Sequence, residues 1–291
     1  MPISKIRING IRCRDFSKAL RLVLLAIGLF WVTTESKAQD LPFQDGELLT
    51  YHIRYKYGLL MMGAGSANYQ INFTEYNQRP RVKSTFSFKT NSFFDKVYKM
   101  RDTLISYASL PDIRPISLYR SVNEGSSHYV ENLVMRKHGK NFSEVNVKRV
   151  KNGEVRFDTL LSVNNLGFDI LNVFLFIRNI NYAELNLGQT YTLTAFFGKD
   201  KVNIILRYTG QAVLEKSETL KYKTFHWIVD ITNDAFTEAQ SAMEVWISDD
   251  KNHIPLKLKA KLKIGAAEAE LTSYKQLKHP FSSEINLKPR K

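Results

Sequence analysis

Several groups of residues in this 291-residue chain could do chemistry. Arg101-Asp102, Arg120 and Glu124 fall on neighbouring extended segments. Charges placed so could form an ion-pair network or line the mouth of a pocket. Asp169 and Arg178 bracket an apolar stretch. There the carboxylate suits the positive pole of a helix and the guanidinium its negative pole. Arg101, Arg120, Glu124, Asp169 and Arg178 are therefore the candidate ligand-binding residues. Asp249-Asp250 could hold a cation through oxygen ligands, but a hairpin turn explains the same pair, and the turn is favoured. The six histidines, at 52, 128, 138, 226, 253 and 279, show no metal-ligand spacing. His226, beside Trp227, reads as a half-buried, hydrogen-bonded side chain.

The common catalytic signatures are missing from the sequence. It holds no Gly-x-Ser-x-Gly elbow, no phosphate-binding loop, no dinucleotide fingerprint and no His-Glu-x-x-His. The expectation is a non-enzymatic protein with no cofactor and no metal. Asp102-Thr103-Leu104 and Asp158-Thr159-Leu160 both match an Asp-Thr-aliphatic pattern that some bacteria glycosylate on exported proteins. Thr103 and Thr159 are accordingly candidate O-glycosylation sites.

The elements that must position these residues read mostly as strands. Segments 48–57, 82–90, 102–108 and 117–122 are rich in aromatic and β-branched residues, with partial alternation. Gly63-Ala64-Gly65-Ser66-Ala67 leads into another strand, and glycines there suggest a bulge or a close backbone approach. Strands are expected again at 128–136 and 141–150, joined by a turn at 138–141. Lys151-Asn152-Gly153-Glu154 carries the Asn-Gly hairpin signal into 155–161. Residues 92–100 read equally as a short helix or an aromatic loop.

Residues 168–179 (FDILNVFLFIRN) differ, being apolar on nearly all sides after cap-type residues, and are expected to form one buried helix. After Gly188, short strands return in regular order up to Tyr274. The fold class expected is mainly β: an antiparallel, strongly curved sheet or open β-barrel around the helix at about 168–179. The aromatic content of 12% suits such a core, and would equally suit a cavity for an apolar ligand.

The N-terminus reads as a signal peptide. Lys5, Arg7, Arg12, Arg14, Lys18 and Arg21 precede an uncharged stretch from Leu22 to Val32. Eleven residues at about 1.5 Å each span roughly 16 Å, too short to cross a bilayer and suited to an h-region. Ser36-Lys37-Ala38 then places cleavage between Ala38 and Gln39. Cys13, the one cysteine, falls within the leader, which removes disulfides and thiolate chemistry from residues 39 onward. The domain plan is a leader at 1–38, a single β-rich domain at 39–278 and a basic, loose tail at 279–291. The whole chain carries a formal charge of +14, and the leader's seven Lys/Arg and two Asp/Glu leave about +9 for the rest. Such a balance suits anionic envelope surfaces, while lysine kept for solubility explains it equally well.

The C-terminal third carries a resemblance. Glu244-Val245-Trp246-Ile247-Ser248-Asp249-Asp250, Ile254-Pro255 and Glu270-Leu271-Thr272-Ser273-Tyr274 resemble the closing motif of the bacterial family known as domain of unknown function 3108. Gly46-Glu47-x-Leu49-x-Tyr51 and Gly63-x-Gly65-x-Ala67 resemble its first two strands. Residues from Phe168-Asp169-Ile170-Leu171 to Arg178 resemble its central helical segment, without the proline often found there. The resemblance implies an exported, β-rich protein of Gram-negative bacteria. In outline that fold is similar to periplasmic carriers that hold acyl chains in a half-barrel, an analogy of fold alone.

The leading expectation is thus a periplasmic protein that binds an apolar or amphiphilic ligand, such as a lipid, or a cell-envelope protein. A structural or assembly scaffold of the envelope is the alternative, and a hydrolase of envelope lipid or polymer the third reading. Neither a nucleic-acid partner nor a transmembrane span after cleavage is expected. The sequence leaves the oligomeric state open.

Overall fold

The computed structural model describes residues 40–138, 142–232, 243–262 and 265–286. The leader, Cys13 and the proposed cleavage positions Ala38 and Gln39 lie outside the described residues, as does most of the turn at 138–141. Residues Leu41–Lys291 make one compact unit.

That unit is a sheet wound into a nearly closed barrel. Its strands are β1 (Leu48–Tyr57), β2 (Leu60–Tyr76), β3 (Arg79–Thr90), β4 (Arg101–Ser109), β5 (Pro115–Glu124), β6 (Ser127–His138), β7 (Phe142–Lys151) and β8 (Glu154–Val163). After the two-residue β9 (Gly167–Phe168) come β10 (Thr190–Phe197), β11 (Asp200–Glu215), β12 (Leu220–Thr232), β13 (Met243–Ser248), β14 (Pro255–Lys261), β15 (Ala266–Lys275) and β16 (Glu284–Asn286). Helix α1 (Ser92–Asp95) is a single turn between β3 and β4, and α2 (Ile170–Arg178) follows β9.

The order across the sheet is β8-β7-β6-β5-β4-β3-β2-β1-β15-β14-β13-β12-β11-β10-β9, with β16 added on β12. Neighbours are antiparallel hairpin partners, except that β9 lies parallel to β10 and β1 pairs with β15. The two ends of the ladder meet side by side. Lys201 Nζ donates to the Ser162 carbonyl at 3.2 Å, and Ser143 Oγ to that of Asn165 at 2.8 Å. A Cβ on Gly198 would sit 2.9 Å from Arg149 Nη2, so the β10–β11 turn rests on that guanidinium at the seam.

Helix α2 lies inside the barrel and divides its core. Leu171 and Leu175 pack with β1–β7 residues such as Leu49, Ile71, Val82 and Leu133. Val173 and Ile177 pack with Leu193, Ile204, Trp227 and Ile247 from β10–β13. A helix enclosed on both sides needs apolar residues all round, and the segment has them. It starts at Ile170 rather than at 168, because Phe168 is spent on β9 and Asp169 is the cap.

Other expectations meet similar adjustments. Residues 92–100 divide into the one-turn α1 and a loop. At the C-terminus, where a loose tail is expected, Glu284–Asn286 forms β16 and Ser283 is buried, donating to the Lys223 carbonyl. The register shift between Tyr208 and Gly210 is a bulge within the continuous β11.

Candidate functional site

Strand alternation gives the barrel an apolar lining. On β1, Tyr51 and Ile53 point inward; so do Ala67 and Tyr69 on β2, Phe86 on β3 and Leu104 on β4. Across the interior stand Pro255, Leu258 and Ala260 of β14 and Ala267 and Ala269 of β15. The first turns of α2, through Ile170, Leu171 and Phe174, fill only part of the space between these walls. What remains is a cavity of about 270 Å³. Small side chains create it: Ala260 pairs directly with Ala267, and Leu258 with Ala269. A second apolar space of about 50 Å³ lies across the helix, against Ile204, Val229 and Val245, and shares Ile170, Phe174, Met243 and Leu258 with the first.

The few polar groups of the lining are already engaged. Tyr51 Oη donates to the Pro255 carbonyl at 2.9 Å, and Tyr69 Oη to Ser84 Oγ at 3.1 Å. Burial pushes both phenols far above their ordinary value, so they stay neutral. Arg178 forms the floor. It makes a bidentate pair with Glu47, both side chains fully buried, and donates through Nη2 to the Asn252 carbonyl at 2.9 Å. Burial works against its charge, but the Glu47 carboxylate and its hydrogen bonds hold the guanidinium above its ordinary value. Glu268, also in the lining, is paired with Arg54 at 3.1 Å and with Lys257 at 3.4 Å, so each polar side chain of the wall has a protein partner, which suits an apolar occupant.

Asp169 secures the helix at its other end. Its carboxylate accepts from the Leu171 and Asn172 backbone N–H groups at 2.9 and 3.0 Å, from Ser106 Oγ at 2.7 Å, and from the Asn172 side chain. Burial nonetheless leaves its proton affinity raised. The N-cap and the contact with β4 together fix where α2 sits in the barrel.

The remaining candidates lie on the β4–β6 side. Asp102, Leu104 and Ser106 alternate inward on β4, and Arg120 lies opposite Leu104 on β5. Glu124 sits against Asp102, and burial together with that neighbouring carboxylate raises its proton affinity, with Arg120 opposing. Arg120 also lies over the Tyr129 ring, 5.6 Å from its centre. Deeper in the row, Glu131 is buried and accepts from Arg149 Nε at 2.7 Å. Arg101 points to the opposite face, where its Nη2 meets Asp95 Oδ2 at 2.6 Å and its Nη1 meets Thr90 Oγ1 at 3.1 Å.

The five candidates therefore do not form one site. Arg120 and Glu124 share an inward polar row, Arg101 braces α1, and Asp169 and Arg178 hold the two ends of α2. Thr103 faces outward in mid-sheet, opposite Ser87 and Ser121, and Thr159 shares the face of Phe157 and Leu161. Asp249 and Asp250 occupy the β13–β14 connection, where Asp250 Oδ1 accepts from Ser248 Oγ and the Asn252 N–H. Among the described residues, no group of three His, Cys, Asp or Glu side chains could hold a metal ion, and no helix is long and apolar enough to cross a membrane. The cavity itself has a sequence signal that the candidate residues miss. In Lys257-Leu258-Lys259-Ala260-Lys261 and Ala267-Glu268-Ala269-Glu270, charge alternates with small or apolar residues, so the inner wall is built mostly of alanine.

Comparison with known proteins agrees with this architecture. The model of the family described as protein of unknown function (DUF3108) matches residues 50–272, and the chain belongs to that family. A comparison with curated proteins finds no match. Among solved structures, the chain is similar to a β-barrel-like protein of the domain of unknown function DUF1849 from Brucella abortus. The TM-score is 0.54 at 10% identity, covering 80% of this chain and 99% of the other. At that identity the likeness is one of fold.

Proposed function

We propose that this DUF3108 chain is a binding protein that holds an apolar or amphiphilic molecule, such as a lipid acyl chain, in the cavity beside α2. The observation that carries the reading is the cavity itself, about 270 Å³ with an almost wholly apolar wall. That is close to the lower end of small-molecule sites, about 300–1,000 Å³. Left without an occupant, it forgoes the burial of its apolar wall, worth about 25 cal/mol for each Å² that a ligand would cover. A bound apolar molecule recovers much of that loss. Water gains little there, because the wall offers it no polar partners.

The role proposed is binding rather than catalysis, since Tyr51, Tyr69 and Arg178 are each committed to protein partners. The leader read from the sequence would place this activity outside the cytoplasm, in the periplasm of a Gram-negative cell.

Native mass spectrometry of the chain purified from its own envelope, followed by organic extraction, tests the reading. A stoichiometric amphiphile released on denaturation supports it and names the ligand class. Bare protein that also fails to take up a fluorescent fatty acid overturns it and leaves the scaffold reading.

A further inference from the structure

We propose that the end of the barrel carrying the β1–β2 turn docks onto the surface of an anionic lipid bilayer, with the cavity mouth facing the membrane. The surface goes beyond the cavity reading, and its test does not require the cavity to be occupied.

The β1–β2 hairpin outruns β3 on one flank and is level with the β14–β15 turn on the other. Pairing of β2 with β3 stops at Gly65, opposite Thr90, whereas pairing of β2 with β1 continues to Leu60. On the other flank, β15 begins at Ala266, opposite Lys56. Asn91 closes the β2 side by bonding the Gly63 and Ala64 carbonyls at 2.5 and 3.0 Å. Leu60–Met62 and the turn before them therefore extend past the end of β3 by about 10 Å at roughly 3.3 Å per residue, beside the β14–β15 turn.

The projecting residues are apolar. Leu59 is fully exposed at 100%, Leu60 at 64%, Tyr57 at 58% and Met61 at 42%. The loop around α1, docked on the same end of β2, adds exposed Phe93, Val97 and Tyr98, and the β14–β15 turn adds Leu262. Half of the large apolar side chains exposed among the described residues thus gather at one end of one barrel. Exposed apolar side chains scattered singly are ordinary, but a cluster on protruding turns marks a surface meant to be covered.

Charge identifies what covers it. Exposed Lys56, Lys96, Lys99 and Lys261 interleave with these residues. The one acid within the α1 loop, Asp95, is neutralised by Arg101. Apolar tips ringed by lysine suit the headgroup and acyl boundary of a bilayer with anionic lipid, where side chains enter about 5–10 Å. The cavity also faces this way. Ala260 and Ala267, the last inward pair before the Leu262 turn, are partly exposed, whereas Ala67 and Arg178 further in are buried. A molecule leaving the cavity past them would pass directly between the docking turns.

The test is flotation of the chain beginning at Gln39, which keeps the compact unit from Leu41 onward whole. It is mixed with vesicles of phosphatidylcholine alone or of phosphatidylcholine with phosphatidylglycerol. The expected result is flotation with the anionic vesicles. Leu59→Asp/Leu60→Asp is expected to lower partitioning by about tenfold or more, with an unchanged circular dichroism spectrum. Lys56→Glu/Lys99→Glu should reduce binding to the level seen with neutral vesicles. A wild-type chain that does not float, or a double aspartate variant that floats equally well, overturns the proposal. So does a concentration-dependent dimer that Leu59→Asp abolishes, which would assign the patch to a second copy of the chain. Flotation by a chain that carries no extractable ligand would uphold the docking surface while the cavity reading falls.

Discussion

The guanidinium of Arg178 and the carboxylate of Glu47, 131 residues apart, meet with Nη1 2.5 Å from Oε1 and Nη2 3.1 Å from Oε2, both side chains fully buried. The pair ties the last turn of α2 to the approach to β1, and the Asn252 carbonyl draws in the β13–β14 connection. Removing either partner leaves an uncompensated charge in the core. Glu47→Ala and Arg178→Ala are each expected to cost about 3–5 kcal/mol in urea denaturation, whereas Glu47→Leu/Arg178→Met should recover most of that loss. A Glu47→Ala/Arg178→Ala double variant whose loss equals the sum of the two single losses would show that the groups are not coupled.

Gly65 is the point where β1, β2 and β3 crowd together. A Cβ there would overlap the Lys89 carbonyl oxygen and lie 2.9 Å from Thr90 Cα, both backbone atoms of the next strand. Gly65→Ala is expected to destabilise by about 1–3 kcal/mol, because backbone has to move. Alanine at Gly153, where nothing lies within 4 Å, should cost only the strain of its left-handed conformation, φ +79°. Equal midpoints for wild type and Gly65→Ala would refute the argument.

Asp95 gives the α1 brace a pH dependence. Hydrogen bonds from Arg101 and Thr90 hold its carboxyl down at about 2, from an ordinary 3.8. The folded chain thus binds this proton less readily than the unfolded one. The resulting stabilisation is complete above the unfolded value and disappears as pH falls through about 2. In thermal melts run from neutral pH to about pH 2, wild type and Asp95→Asn should differ at neutral pH and converge at the acid end. A constant gap between the two would contradict the assignment.

Ala267→Phe examines the cavity without touching its polar groups. The new ring fills space left between Ala260, Phe174 and Leu104. Filling a void should leave the melting temperature unchanged or raise it, while uptake of a fluorescent fatty acid falls by about tenfold or more. A folded variant with undiminished uptake would place the ligand elsewhere.

Much of this architecture was legible in local sequence. Lys151-Asn152-Gly153-Glu154 forms the tight hairpin its Asn-Gly pair requires, with both central residues at positive φ. The enclosed helix was legible from its uniform apolarity, and the glycine run of β2 from its small side chains. The partnership of Glu47 with Arg178 was not, because no local pattern joins residues so distant, and Arg178 alone reads as a helix-dipole cation. The cavity escaped for a different reason. Alanine carries little hydrophobic weight, so the alternation of β14 and β15 looks like a charged surface and conceals an inner wall.

Among the described residues, the pairing of β1 with β15 is the one ladder between long strands that local hairpins cannot supply, since it joins Leu48–Lys56 to Ala266–Lys275. Each hairpin can zip from its own turn as the chain emerges, at a modest entropic cost for its short loop. This join must close a loop of about 210 residues, and until it does, β1 presents an unsatisfied edge available to any other strand. A chain folding from its N-terminal side therefore carries β1 open on one edge until β15 is available to pair with it.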